Sequence, residues 1–153
     1  MTTPTTTVLI VDDTPANLSL IVDRLEEIGW CVLVAQDGEE AIERVRHVLP
    51  DLVLMDVRMP GIDGHETCRR MKLDPNLRDM PVIFMTAQHD PDENLRGFEV
   101  GGVDCITKPL HVAETIARVR VHLAACRRLR RLSEEVAALR QQLPEVADHE
   151  KPP

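Results

Sequence analysis

The feature that most constrains the fold is an unbroken apolar run, residues 52–55, which leads directly into Asp56 and then into a loop with Pro60, Gly61 and Gly64. Such a run is typical of a strand buried on both faces, as in a parallel sheet between helices. A carboxylate at its end must face solvent or a polar site, since burying it alone is costly. In open α/β sheets, sites lie beyond the carboxyl ends of the strands. Asp56 is therefore either a solvent-facing strand end or a site residue, and this stretch alone leaves both open.

Strand and helix patterns alternate five times along the chain. Apolar runs predict strands at residues 8–11, 31–35, 52–55, 81–85 and 103–107. Helical patterns follow them, and they start at Pro15, Asp37, Gly64, Pro91 and Leu110. This alternation with short connections predicts an α/β fold in which helices cover both faces of a parallel sheet through right-handed crossovers.

A parallel sheet would bring polar residues that follow different strands to one edge, namely Asp12, Asp13, Asp56, Thr86 and Lys108. Three carboxylates at one edge repel each other unless a cation lies among them. Mg²⁺ suits such a site because it binds carboxylates, waters and phosphate oxygens. The Thr86 hydroxyl and the Lys108 charge could then meet an anion. Together these residues predict phosphoryl transfer, with Asp56 as the nucleophile that forms an aspartyl phosphate.

Four segments at this spacing carry a resemblance to a known family. They are Val11-Asp12-Asp13, residues 54–64 around Asp56, Met85-Thr86-Ala87 and Ile106-Thr107-Lys108-Pro109. In this order they resemble the receiver domain of two-component response regulators, over residues 8 to about 123. The resemblance implies a doubly wound, flavodoxin/CheY-like (βα)5 fold with strand order 2-1-3-4-5. It also implies a cis peptide between Lys108 and Pro109, which is essentially a proline feature.

The resemblance implies a role for each acidic residue of the site. Asp56 would accept a phosphoryl group from the phosphohistidine of a sensor histidine kinase or phosphotransfer protein. Asp13, Asp56 and the backbone carbonyl of Arg58 would hold Mg²⁺, and Asp12 would act largely through a bound water. The chain would then be a signalling phosphoacceptor that catalyses only its own phosphorylation and dephosphorylation.

The resemblance also implies that Thr86 and Lys108 bind the phosphoryl oxygens, and that Thr86 belongs to a conformational switch. Receivers usually carry an aromatic switch residue three positions before the lysine, and this chain has Cys105 there. The phosphorylation chemistry does not need the ring. We therefore expect the signal to leave mainly through the last helix.

The last helical pattern, residues 110–143, contains no Gly and no Pro. Its first part places Val112, Ile116, Val119 and Leu123 on one stripe suited to packing on the sheet. Further on, apolar residues alternate at spacings of four and three, which is a heptad seam: Ala125, Leu129, Leu132, Val136, Leu139 and Leu143. The change of stripe predicts that the helix leaves the domain and pairs with a second copy as a homodimer.

The predicted organisation is a disordered leader (1–7), a receiver domain (8–124), a coiled-coil-like helix (125–143) and a disordered tail (144–153). Residues 1–109 carry 10 Lys and Arg against 20 Asp and Glu, which argues against nucleic acid as the main partner. The sequence shows neither a signal peptide nor a run long enough to span a membrane. Its four cysteines lie far apart without a metal-binding spacing, so we expect reduced, mostly buried thiols in a cytoplasmic protein.

Three alternatives stay open at this stage. An Asp-nucleophile phosphohydrolase of the haloacid dehalogenase type would also be α/β with Mg²⁺, but it places a second Asp where this chain has Arg58. Four arginines at 127, 128, 130 and 131 could contact DNA, although such a run is more often the solvated flank of a coiled coil, as the i,i+4 pairs with Glu134 and Glu135 indicate. The chain could also be the amino-terminal receiver module of a longer regulator, such as a cyclic-di-GMP enzyme or a hybrid kinase.

Overall fold

A single five-stranded parallel sheet organises the computed structural model, which describes residues 5–87 and 90–143. The strands are β1 (Thr7–Val11), β2 (Cys31–Ala35), β3 (Leu52–Asp56), β4 (Val82–Thr86) and β5 (Asp104–Thr107). Their order in the sheet is β2-β1-β3-β4-β5, and every neighbouring pair is parallel. The predicted fold class and strand order are therefore confirmed. Most of the predicted leader and all of the predicted tail lie outside the described residues.

Five helices connect and cover the strands: α1 (Ser19–Glu27), α2 (Gly38–Val48), α3 (Gly64–Lys72), α4 (Pro91–Glu99) and α5 (Val112–Gln142). A short 3-10 turn, Pro15–Leu18, precedes α1. Aspartate side chains cap three helix starts, at Asp37, Asp63 and Asp90, by accepting hydrogen bonds from backbone N–H groups. Such caps satisfy N–H groups that have no partner within the helix, which explains why these helices begin where they do.

Two hydrophobic cores lie on opposite faces of the sheet. In β1, Leu9 and Val11 face the core under α2 and α3, whereas Val8 and Ile10 face the core under α1 and α5. All five residues of β3 and of β4 are buried. This burial explains the unbroken apolar runs of the sequence, because central strands of a doubly wound sheet contact helices on both sides.

Helix α4 presents its glycine to the sheet rather than its large apolar residues. Leu95 and Phe98 are more than half exposed, at 58% and 53%, although both belong to the apolar pattern of this helix. Gly97 is its buried residue, and a Cβ there would lie 2.9 Å from the Phe84 ring. The bulky Phe84 therefore takes the space that a larger helix side chain would need. A further exposed apolar residue is Val48, which is 47% exposed at the end of α2.

None of the helices in the described part of the chain combines the length and the apolar character needed to cross a bilayer.

The peptide bond between Lys108 and Pro109 is cis, as the resemblance implied.

The four cysteines are free thiols with different surroundings. Cys68 is buried, Cys31 is exposed, and Cys105 and Cys126 are partly buried. The expectation of mostly buried thiols is therefore wrong, because only Cys68 is buried, and Cys31, which starts β2 at the edge of the sheet, is exposed.

We expect alkylation to separate these thiols sharply. Burial raises the pKa of Cys68 to about 11, so at mildly alkaline pH this residue lacks the thiolate that attacks iodoacetamide. Cys31 should be labelled first and Cys68 only after unfolding. Peptide mass mapping after timed labelling, with a urea-unfolded sample as the control, checks this. Rapid labelling of Cys68 in the folded protein would contradict the packing of α3.

Candidate functional site

Three carboxylates meet at the carboxyl edge of the sheet. Asp12 and Asp13 directly follow β1, and Asp56 is the last residue of β3. Because β1 and β3 are neighbours with Val11 beside Met55, their ends place the acidic groups together. One carboxylate oxygen from each lies within 4.8 Å of the others. Asp56 is only 7% exposed, so of the two roles left open for it, the site role is the one that its position supports.

Asp12 is completely buried and its two oxygens have different partners. Oδ1 accepts hydrogen bonds from the Thr14 backbone N–H (2.8 Å) and from the Thr14 hydroxyl (3.1 Å). Oδ2 accepts one from the Lys108 ammonium at 2.7 Å. Asp13, by contrast, is exposed. The pair therefore has one acid held inside the protein and one that is open to incoming ligands.

Lys108 connects the first and third strands at this edge. Besides Asp12, its ammonium group contacts Asp56 Oδ2 at 3.2 Å. Its backbone N–H donates to the Thr86 carbonyl at 2.6 Å, which fixes the segment after β5 against β4. Burial disfavours the charged ammonium, but the hydrogen bonds and charges of Asp12 and Asp56 outweigh it and raise the Lys108 pKa. The lysine is thus held as a cation between two carboxylates.

The pKa of Asp56 is raised. Burial is the main cause, opposed by the charge and hydrogen bond of Lys108 and reinforced by the charge of Asp12. A single ammonium group thus does not offset the cost of charging Asp56 at this buried edge. A second cation near the three carboxylates would lower this cost.

Thr86 and Arg58 complete the set of predicted residues. Thr86 ends β4, beside the strand that carries Asp56, and its side chain is buried. The backbone N–H of Arg58 donates to Asp56 Oδ1 at 3.2 Å, while the Arg58 guanidinium points away and pairs with Glu93 of α4 at 3.2 Å. The structure thus places the residues predicted to bind metal and phosphate at one edge, with the Arg58 main chain rather than its side chain at the acid cluster.

Cys105, the predicted switch position, lies in β5 directly beside Phe84 of β4. The Phe84 ring is fully buried, and the His65 ring packs edge-on against it with a centroid distance of 5.0 Å. Any Cβ on Gly97 or Gly102 would come within 3.0 Å of this ring. The aromatic residue of this region is therefore Phe84 of β4. It lies one strand away from the switch position at Cys105, and its ring is packed in the core.

Two contacts of the site were not anticipated from the sequence. Thr14 binds Asp12 as an Asx-type turn, for which the only signal is an Asp two residues before a Thr-Pro pair. Glu93 binds the Arg58 side chain across 35 residues of sequence, and no local pattern indicates such a pairing.

The acid cluster fits a hard divalent cation. Asp13 and Asp56 offer carboxylate oxygens at the edge of the sheet, and the Arg58 main chain lies beside them. Magnesium ions in proteins are commonly bound by one or two carboxylates together with waters and phosphate oxygens. The donor set therefore matches that cation, which would also favour the charged form of Asp56 that burial, by raising the pKa, disfavours.

Comparisons with known proteins agree with this geometry. A family model of the response regulator receiver domain matches residues 8–120. Response regulator PleD of Caulobacter vibrioides is 40% identical over 113 residues, which cover 74% of this chain and 25% of that protein. The transcriptional regulator RpaA of Synechocystis is 34% identical over 134 residues, which cover 88% of this chain and 56% of that protein. RpaA is described as a DNA-binding dual master regulator.

Solved structures show the same fold. A putative response regulator from Chloroflexus aurantiacus aligns with a TM-score of 0.76 at 36% identity, over 79% of this chain and 99% of the other. The chain spans between a quarter and about half of the length of the two curated relatives described above. On the family match, this sequence identity and the shared fold, the chain belongs to the receiver domains of two-component response regulators.

Proposed function

We propose that this chain is a Mg²⁺-dependent phosphoacceptor in which Asp56 receives a phosphoryl group from the phosphohistidine of a kinase or phosphotransfer protein. One observation carries the proposal. Carboxylate oxygens of Asp12, Asp13 and Asp56 lie within 4.8 Å of one another, and Lys108 bridges the two buried acids. Phosphoryl transfer depends mostly on positioning and charge neutralisation, which this cluster supplies.

In the proposed step, a carboxylate oxygen of Asp56 forms a bond to phosphorus while the phosphorus–nitrogen bond of the phosphohistidine breaks. The imidazole leaves with that electron pair and takes up a proton. Lys108 keeps its positive charge beside the acceptor and can move from Asp12 towards the new phosphoryl oxygens. The buried Thr86 hydroxyl donates a hydrogen bond to the same group, so the product is held by residues of two strand ends.

Asp13, Asp56 and the backbone carbonyl of Arg58 would hold the magnesium ion, and Asp12 would contact it through water. The exposure of Asp13 supports direct contact with the ion, and the complete burial of Asp12 between Thr14 and Lys108 supports contact through water. The bound ion would offset negative charge on the acids and on the transferred group.

An apolar groove beside Lys108 supports a helical partner as the phosphoryl donor. Leu18, Leu20 and Ile21 form one wall, and Pro109, Leu110 and Val112 form the other. Leu20 is 66% exposed, so a donor helix could bury it. Because Lys108 also lines the groove, a donor packed there would bring its phosphohistidine towards Asp56.

Downstream, we propose that the signal leaves through α5, which pairs with a second copy of the chain, and that residues 8–124 are the receiver unit. An effector belonging to a longer regulator would then be controlled by this pairing, and contacts with DNA would fall to such an effector. The free thiols suit a reducing compartment, and we therefore place the reaction in the cytoplasm.

Magnesium removal is expected to abolish phosphorylation. With acetyl phosphate and Mg²⁺, intact-mass spectrometry should show one added phosphoryl group per chain, and excess EDTA should remove this adduct, because uncompensated carboxylates repel the incoming phosphate. Equal adduct in EDTA would contradict the magnesium role.

Many turnovers of p-nitrophenyl phosphate would instead favour the phosphohydrolase alternative, in which the chain is an enzyme with external substrates.

A further inference from the structure

Helix α5 has two parts with different surroundings. Up to Leu123 it packs on the sheet, with Thr115, Val119 and Leu123 buried. Every residue from 127 to 143 is exposed. The helix therefore continues beyond the body of the domain, as the change of apolar stripe at Ala125 predicted.

The projecting part keeps a regular apolar face, which we call the seam: Ala125, Leu129, Leu132, Val136, Leu139 and Leu143. Its five large members are between 47% and 68% exposed. In heptad terms they alternate between the a and d positions, which face a partner helix in a coiled coil. A monomer would leave this row of leucines and valine in water, at a cost that a partner helix would remove.

We propose that the seam binds the seam of a second copy as a parallel, in-register coiled coil. Charge complementarity selects this arrangement. Glu135 stands at a g position and Arg140 at the following e position, and a parallel pair sets each g residue against the partner's next e residue. Each Glu135 then meets the partner's Arg140, and the two-fold axis repeats this ion pair on the other side.

An antiparallel pair is disfavoured by the same residues. Burying all six seam positions in that orientation would set Glu135 against the partner's Glu135 at the centre of the coil. It would also set Arg128 against the partner's Gln142, so no attractive ion pair would compensate. Like charges that face each other oppose pairing, and this repulsion specifies the orientation.

The seam is continuous with the surface of the domain. Ala125 and Leu129 line a groove together with His122 and with Val103, which directly precedes β5. His122 is one heptad before Leu129, and its ring binds Asp104 of β5 at 3.0 Å. A parallel coil would therefore set two receiver domains side by side through the same face, with β5 near the axis. This geometry refines the pairing proposed above for signal output.

Cross-linking distinguishes the orientations. In a chain with Cys31 and Cys126 changed to Ser, Leu139→Cys places a thiol on the axis of the parallel coil, whereas Ala137→Cys places one on the outer face as the matched control. Under mild oxidation we expect Leu139→Cys to form a disulfide dimer and Ala137→Cys to stay largely unlinked. No linkage at Leu139, or equal linkage at both positions, would overturn the parallel arrangement.

Charge exchange gives an independent test by sedimentation over a range of concentrations. We expect the chain of 17.2 kDa to sediment as a dimer at high concentration. Glu135→Arg should raise the dimer dissociation constant about tenfold or more, because two like-charge pairs replace two ion pairs. Adding Arg140→Glu should restore most of the affinity. A monomer at every concentration, or a double variant as weak as the single one, would overturn the proposal.

Neither test uses phosphate. A negative result in either test would therefore overturn the coiled-coil proposal without touching the phosphoacceptor proposal. The seam variants should still take up a phosphoryl group from acetyl phosphate, because the seam lies far along the helix from Asp56.

Discussion

The Asp56→Asn variant is expected to show no phosphoryl adduct after incubation with acetyl phosphate and Mg²⁺. The amide keeps the size of the side chain and its place at the end of β3, but it cannot form an acyl phosphate. Wild-type protein under the same conditions should carry one adduct. Intact-mass spectrometry at several times after mixing measures both, and the expected effect is complete loss rather than a slower rate.

Asp23→Asn is the matched control for this substitution. Asp23 is an exposed residue of α1, and the change has the same chemistry away from the acid cluster. This variant should acquire the adduct as wild type does. Asp13→Asn should resemble the EDTA-treated protein, with little adduct, because it removes one of the proposed ligands while leaving Asp56 in place. A normal adduct in Asp56→Asn would move the acceptor to another side chain.

The second large effect is expected from Gly64→Ala, which should destabilise the fold by about 3 kcal/mol. Gly64 is the first residue of α3, and an added Cβ would lie 2.2 Å from the backbone oxygen of Asp56 and 2.9 Å from the Val57 Cα. Both obstacles are main chain, so the helix or the end of β3 must shift. Urea unfolding followed by circular dichroism measures the loss, and phosphorylation should fall as well because Asp56 moves.

Gly61→Ala separates this clash from ordinary glycine strain. Gly61 belongs to the same loop and has a φ of 81°, but nothing lies within 4 Å of its added Cβ. This control should cost only about 1 kcal/mol, which reflects the left-handed backbone of a residue with a side chain. Equal losses in the two variants would show that the contact of α3 with the end of β3 is looser than described.

The central part of the fold could be predicted because each local pattern has one physical cause. Unbroken apolar runs require strands covered on both faces, and their alternation with helices requires a parallel sheet. The common edge then follows for Asp12, Asp56 and Lys108, although nearly a hundred residues separate the first from the last. The contacts among these side chains agree with that prediction.

Other features depend on three-dimensional packing that no local pattern contains. Leu95 and Phe98 follow a helical apolar spacing, yet α4 turns Gly97 to the sheet because the Phe84 ring fills that space. The Arg58–Glu93 ion pair joins distant parts of the chain. Which of Asp12 and Asp13 is buried was likewise not evident from two adjacent identical residues, and it follows from the direction in which β1 ends.

The most direct test of the central claim is to locate the phosphoryl group by reduction with borohydride. An acyl phosphate on aspartate is reduced to the alcohol of homoserine as phosphate leaves, so the modified position is recorded permanently in the chain. Peptide sequencing by mass spectrometry, after treatment with acetyl phosphate and Mg²⁺, should find homoserine at position 56 and nowhere else. Homoserine at position 12 or 13, or no homoserine in protein that carries the mass adduct, would contradict the assignment of Asp56.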